Sequence, residues 1–105
     1  MNTFIGSGRL VRNAVVHGTE KKALKFTLAA KYGYDREAQK DRVEFLPCVI
    51  FSPSDALTEA LVNEGKGIFV EFQGRVATSK FENDGGTQYS TEVVVNTATF
   101  NIITR

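Results

Sequence analysis

At 105 residues and 11.6 kDa the chain has room for one domain with a real core, spanning 1–105, and none for a second. A hydrophobic content of 42%, a charged content of 24% and no apolar run near the roughly 20 residues of a membrane helix predict a globular, soluble chain with no membrane partner. Thirteen Lys and Arg against 12 Asp and Glu leave a net charge of +1, which excludes a uniformly basic coat; a polyanion would have to be met by a local gathering of cations.

The start, Met1-Asn2-Thr3-Phe4-Ile5, has no basic region followed by an apolar stretch, so it does not read as a secretory signal and the cytoplasm is the expected compartment. Residues 3–17 alternate loosely around Gly6 and Gly8 and predict a long, curved first strand. Cations gather early: Arg9, Arg12, Lys21, Lys22, Lys25 and Lys31 face only Glu20 in the first 31 residues. After a turn at Gly18–Lys22, Leu24, Phe26, Leu28 and Ala30 recur at period two and predict a half-buried second strand. Residues 32–42 are polar, with Tyr32 and Tyr34 and no clean period, and are expected to form a mobile loop of the kind that often carries function.

Val43 to Phe51 predicts a third strand, interrupted or near an edge at Pro47, which lacks the N–H for a ladder bond. Ser52-Pro53-Ser54-Asp55 then opens a short helix with a stripe of Ala56, Leu57, Ala60 and Leu61, ended by Gly65. A fourth strand over about 67–81 and a fifth over about 87–103 flank Asn83-Asp84-Gly85-Gly86, a strong hairpin signal because such residues accept the positive φ of tight turns. The expected fold is thus all-β with one short helix: a five-stranded Greek-key OB-fold barrel, its helix between strands 3 and 4 and a long hairpin between strands 4 and 5.

Several short motifs in that frame resemble the bacterial single-stranded DNA-binding protein family over Asn2 to about Ile103. They are Gly8-Arg9-Leu10, Phe26-Thr27-Leu28-Ala29, Val49-Ile50-Phe51, Lys66-Gly67, Gln73-Gly74-Arg75-Val76-Ala77-Thr78 and Tyr89-Ser90-Thr91-Glu92-Val93-Val94-Val95. The resemblance implies single-stranded DNA as partner, bound without sequence preference in replication, recombination or repair, at the nucleoid. It carries base stacking onto Tyr34, Phe45, Phe51 and Phe81, and phosphate contact onto Lys66 and Lys80. It also implies a homotetramer with first strands paired, a dimer being the alternative. Stacking on an aromatic contributes about 1–3 kcal/mol per base whatever the base, which suits these residue types.

The chain departs from the family in having no Trp, in Asn13-Ala14 where Asp-Pro is usual, and in ending at Arg105 before a Gly/Pro/Gln-rich linker and acidic tip. A tail-less or truncated member is therefore expected. The rival reading is a primosome or conjugation accessory module whose main partners are replication or primosome proteins.

Tyr32, Arg75 and Arg9 complete the expected nucleic-acid site, the arginines either lining a groove or neutralising Glu71 and Glu92. Phe4, Phe26, Phe69 and Phe100 are assigned to the core by strand position. Lys21, Lys22 and Lys25 read as a solvated hairpin face, with a phosphate clamp as the alternative. With one His and one Cys there is neither a zinc set nor a disulfide, and no nucleophile elbow or phosphate loop is present; no metal, no cofactor and no enzymatic activity are expected.

Overall fold

A computed structural model describes all 105 residues. The strands are β1 (Phe4–Leu10), β2 (Val15–His17), β3 (Ala23–Asp35), β4 (Lys40–Phe51), β5 (Phe69–Asn83), β6 (Gly86–Val95) and β7 (Asn101–Thr104), with helix α1 (Asp55–Glu64) between β4 and β5. They lie in the order β1-β3-β4-β6-β5, and antiparallel pairing of β1 with β5, from Phe4 opposite Gly74 to Arg9 opposite Phe69, closes the barrel. β2 extends the first strand along β3, and β7 extends the fifth along β5. The expected five strands thus become seven segments, because Val11–Ala14 interrupts the first and a 3₁₀ turn at Thr97–Thr99 the last.

The core follows the alternation of the sequence. Leu24, Phe26 and Leu28 of β3, Cys48 and Ile50 of β4, Val70 and Phe72 of β5 and Val93 and Val95 of β6 point inward and are buried. Phe26, Phe72 and Phe100 meet with ring centroids 5.8–6.2 Å apart, and Phe4 lies 5.6 Å from Phe72. Phe69 departs from expectation. It pairs with Arg9 on the outer face, where the guanidinium lies 5.3 Å from its ring centroid, because odd positions of β5 face away from Val70 and Phe72. Burial pushes the Cys48 thiol up to about 12, with the Glu92 carboxylate a lesser contributor in the same direction.

Helix α1 closes one end. Ser54 accepts from Leu57 N–H at 3.1 Å as its N-cap, and Leu61 drives into the core. Its last turn abuts the chain between β1 and β2, where Ala14 N–H donates to Leu61 O at 2.9 Å.

The residues expected to form a mobile loop, 32–42, are instead the outer half of a hairpin. Gly33, Tyr34 and Asp35 pair with Arg42, Asp41 and Lys40, and only Arg36–Gln39 turn. Asp35 Oδ1 accepts from the N–H groups of Glu37 and Ala38, and Gln39 takes φ 54°, so side-chain hydrogen bonding replaces the Gly-rich signal that would have marked the turn. The second hairpin turns at Asp84-Gly85, but of its residues only Gly86, at φ 104°, uses the positive φ expected there.

Parallel contact between β4 and β6, Cys48 with Val93 and Val49 with Val94, decides where these hairpins point. Residues 40–47 and 86–92 precede that contact in strands of the same direction, so both ribbons leave the barrel at one end, opposite α1.

Candidate nucleic-acid interface

Period two sorts the strands into an inner and an outer face, and the ladder registers carry the outer face from strand to strand. In β4 the pairing with β3 is continuous from Val43 to Phe51, so the even spacing of Phe45 and Phe51 survives Pro47 and both are on the outer face, opposite Cys48 and Ile50. Pro47 is accommodated because its partner Thr27 turns its backbone away from β4: Thr27 O accepts from Val11 N–H at 3.0 Å. A ladder donor at Pro47 is therefore not needed.

Tyr34 reaches the same face through a bulge. Lys31 pairs with Val43 and Gly33 with Arg42, leaving Tyr32 as an extra residue without a partner. Uninterrupted alternation would have sent Tyr34 to the inner side. The extra residue restores it to the side of Asp41, Val43 and Phe45.

In the other ribbon Val94 pairs with Arg75, Glu92 with Ala77, Ser90 with Ser79 and Gln88 with Phe81. Val93 and Val95 are core residues, so Arg75 and Phe81 share the outer face with Val49, Phe45 and Phe51. Tyr34, Phe45, Phe51 and Phe81 are 45–63% exposed, which leaves each with a free ring face. From the level of Tyr34, opposite Asp41, to Phe51 the row runs ten residues, about 33 Å along β4.

Lys80 and Phe81, both expected in the site, lie on opposite faces of their ribbon. Adjacent residues of a strand project to opposite faces, and Lys80 stands across from Tyr89 on the reverse side of the ribbon. Tyr89, 67% exposed, was not among the expected site residues, although counting outward from the Asp84-Gly85 turn would have found it. Arg9 joins the row more closely: it pairs with Ala29, which pairs with Phe45, placing Arg9 two strands, or about 10 Å, from that ring. One Arg9 N–H donates to Gly67 O at 2.8 Å, which fixes the guanidinium beside Lys66. The Lys66 backbone N–H donates to Asn13 Oδ1 at 2.8 Å, and its side chain is exposed.

Ion pairs hold only three cations: Lys31 with Asp41 at 2.9 Å, Lys25 with Glu92 at 3.8 Å and Arg105 with Glu64 at 4.0 Å. Arg9, Arg12, Lys22, Lys66, Arg75 and Lys80 have no acidic partner within 4 Å. Lys22 and Lys25 are exposed, as a solvated face requires, and lie beside the aromatic row: Lys25 pairs with Val49, and Lys22 O accepts from Ser52 N–H next to Phe51. The alternation of Lys25 with Leu24 and Phe26 was the signal that placed it outside. A surface of spaced, exposed rings with free cations between and beside them can stack bases and neutralise phosphates.

A family model described as the single-strand binding protein family matches residues 1–101. "Single-stranded DNA-binding protein 1" of Streptococcus pyogenes serotype M18 is 31% identical over 98 residues, covering 90% of this chain and 73% of that protein. "Single-stranded DNA-binding protein" of Staphylococcus epidermidis is 25% identical over 101 residues, covering 95% and 76%. Among solved structures, "Plasmodium falciparum SSB complex with ssDNA" superposes with a TM-score of 0.74 at 19% identity, over 100% of this chain and 95% of that one.

Proposed function

Given a chain that belongs to the single-strand binding protein family, we propose that it binds single-stranded DNA without sequence preference and serves replication, recombination or repair in the cytoplasm, at the nucleoid. The observation that carries this reading is the common outer face of Tyr34, Phe45, Phe51 and Phe81, all exposed and spread over two ribbons that leave the same end of the barrel. An unpaired strand has its bases free to stack on such rings, whereas in a duplex they are already stacked and the rings would meet only the backbone. Arg9, Lys66 and Arg75 flank the row as phosphate partners. The protein performs no chemistry on the strand.

We propose further that the chain acts as a homo-oligomer, a tetramer or a dimer. β1 meets β3 only at Arg9 and Leu10, so Phe4 to Gly8 present one unpaired edge to solvent. Exposed Ile5 lies along that edge. Antiparallel pairing of two such edges gives a self-complementary contact.

The test is titration of fluorescent single-stranded dT and of a matched duplex at two salt concentrations, with solution mass measured alongside. Tight, salt-sensitive binding of the single strand alone is expected. Equal binding of the duplex, or none of either, would move the function to a protein partner.

A further inference from the structure

Between Phe45 and Phe51 the outer face is not flat. Arg12, His17, Lys25, Thr27, Pro47 and Glu92 are among the residues lining a groove of about 440 Å3 that crosses β2, β3, β4 and β6. Its position follows from the ladder. Phe45 lies at the level of Ala29 and Phe51 at the level of Ala23, and Thr27 with Pro47 and Lys25 with Val49 fill the two levels between. The strand that stacks on both rings must therefore pass over this groove.

The groove holds cations on one side and a single carboxylate on the other. Glu92 is the more enclosed partner of its ion pair, with 21% of its side chain exposed against 45% for Lys25. Their separation of 3.8 Å is too long for a hydrogen bond, so both Glu92 oxygens keep their capacity to accept one. A phosphate cannot settle against that carboxylate. A base edge can, if it offers an N–H, and a carboxylate accepting from the cytosine amino group is a known pairing. Thymine presents the carbonyl O4 where cytosine presents the amino group, so the same approach sets two acceptors against each other.

We propose that this groove is a base pocket in which Glu92 accepts a hydrogen bond from an exocyclic amino group, while Lys25, Arg12 and His17 at the rim take the flanking phosphates. The consequence is a preference for cytosine over thymine superimposed on otherwise sequence-tolerant stacking. It rests on the single-strand-binding reading. Pro47, with no N–H to offer, contributes an apolar floor for the base.

The test compares dC and dT oligonucleotides of equal length at neutral pH with the whole chain and with Glu92→Gln and Lys25→Gln. The unaltered chain is expected to bind dC about three- to tenfold more tightly than dT. In Glu92→Gln, whose amide can donate as well as accept, that ratio falls toward one through a gain for dT. In Lys25→Gln both affinities drop while the ratio is kept or widened, because the carboxylate remains. A purely structural ion pair would lower both affinities alike in the two variants and leave the ratio untouched, which overturns the proposal. Equal dC and dT binding by the unaltered chain overturns it too, while leaving single-strand binding standing. Failure to bind either oligonucleotide overturns both.

Discussion

Each of the four aligned rings is expected to make a separable contribution to binding. Phe45→Ala, Phe51→Ala and Phe81→Ala are each expected to weaken dT binding by about 1–3 kcal/mol while leaving oligomeric mass unchanged, measured by fluorescence titration and sedimentation. An unchanged affinity would remove that ring from the site. Lys66→Ala is expected to lower the dependence of log affinity on log salt by about 0.7, one single-strand phosphate contact, and an unaltered slope would make Lys66 a bystander. Cys48 is a buried core residue, and its effect is expected on stability. Its folded thiol ionises near 12, against 9.0 when unfolded. The neutral form is favoured by the fold, so its contribution is full below pH 9.0 and is lost as pH rises from there toward 12. Urea unfolding of the unaltered chain should therefore weaken more steeply over that window than that of Cys48→Ala; parallel curves would show that the thiol does not couple to folding.

At the scale of elements, the two ribbons are specified by different chemistry. The β5–β6 hairpin depends on Gly86, whose φ of 104° suits glycine alone, so Gly86→Ala should destabilise it by about 1–2 kcal/mol in thermal or urea unfolding. No loss would mean the turn rearranges freely. The β3–β4 hairpin depends on a register shift rather than on glycine. Deleting Tyr32 removes the bulge while leaving Tyr34 opposite Asp41, so the deletion should preserve dT affinity where Tyr34→Ala reduces it. Equal losses from both would instead place Tyr32 itself on the strand. The sequence concealed this hairpin because a bulge breaks the period of two that marks a strand, and because an Asp side chain and Gln39, not Gly or Asn-Gly, make its turn.

The whole molecule is more open than its size requires. Its radius of gyration is 14.9 Å against about 13 Å for a compact chain of this length. Its accessible surface is 7274 Å2 against about 5,800 Å2 for a monomer of this mass. The protruding ribbons supply part of that excess, and the free edge and exposed Ile5 of β1 supply surface that a second copy would cover. Odd residues of β1 turn their N–H groups away from β5, since Leu10 N–H donates to Ile68 O and Val11 N–H to Thr27 O. Ile5→Pro should therefore remove an edge donor without disturbing barrel closure, and lower the solution mass. An unchanged mass would place the contact between copies elsewhere.

The sequence by itself determined the barrel: period-two runs chose the strands, Leu24, Phe26 and Leu28 chose their inner face, and Ser54 and Gly65 bounded the helix. It also supplied the candidate rings, because exposed aromatics beside cations are a property of composition and local order. The tertiary structure decided which of them share a face. Phe69 left the core for Arg9, Lys80 parted from Phe81, and Glu92 came to lie with Lys25 in the groove between Phe45 and Phe51. The physical reason is that a side chain's face depends on register, and register is fixed by pairing between residues far apart in the chain, where a single unpaired residue such as Tyr32 inverts everything beyond it.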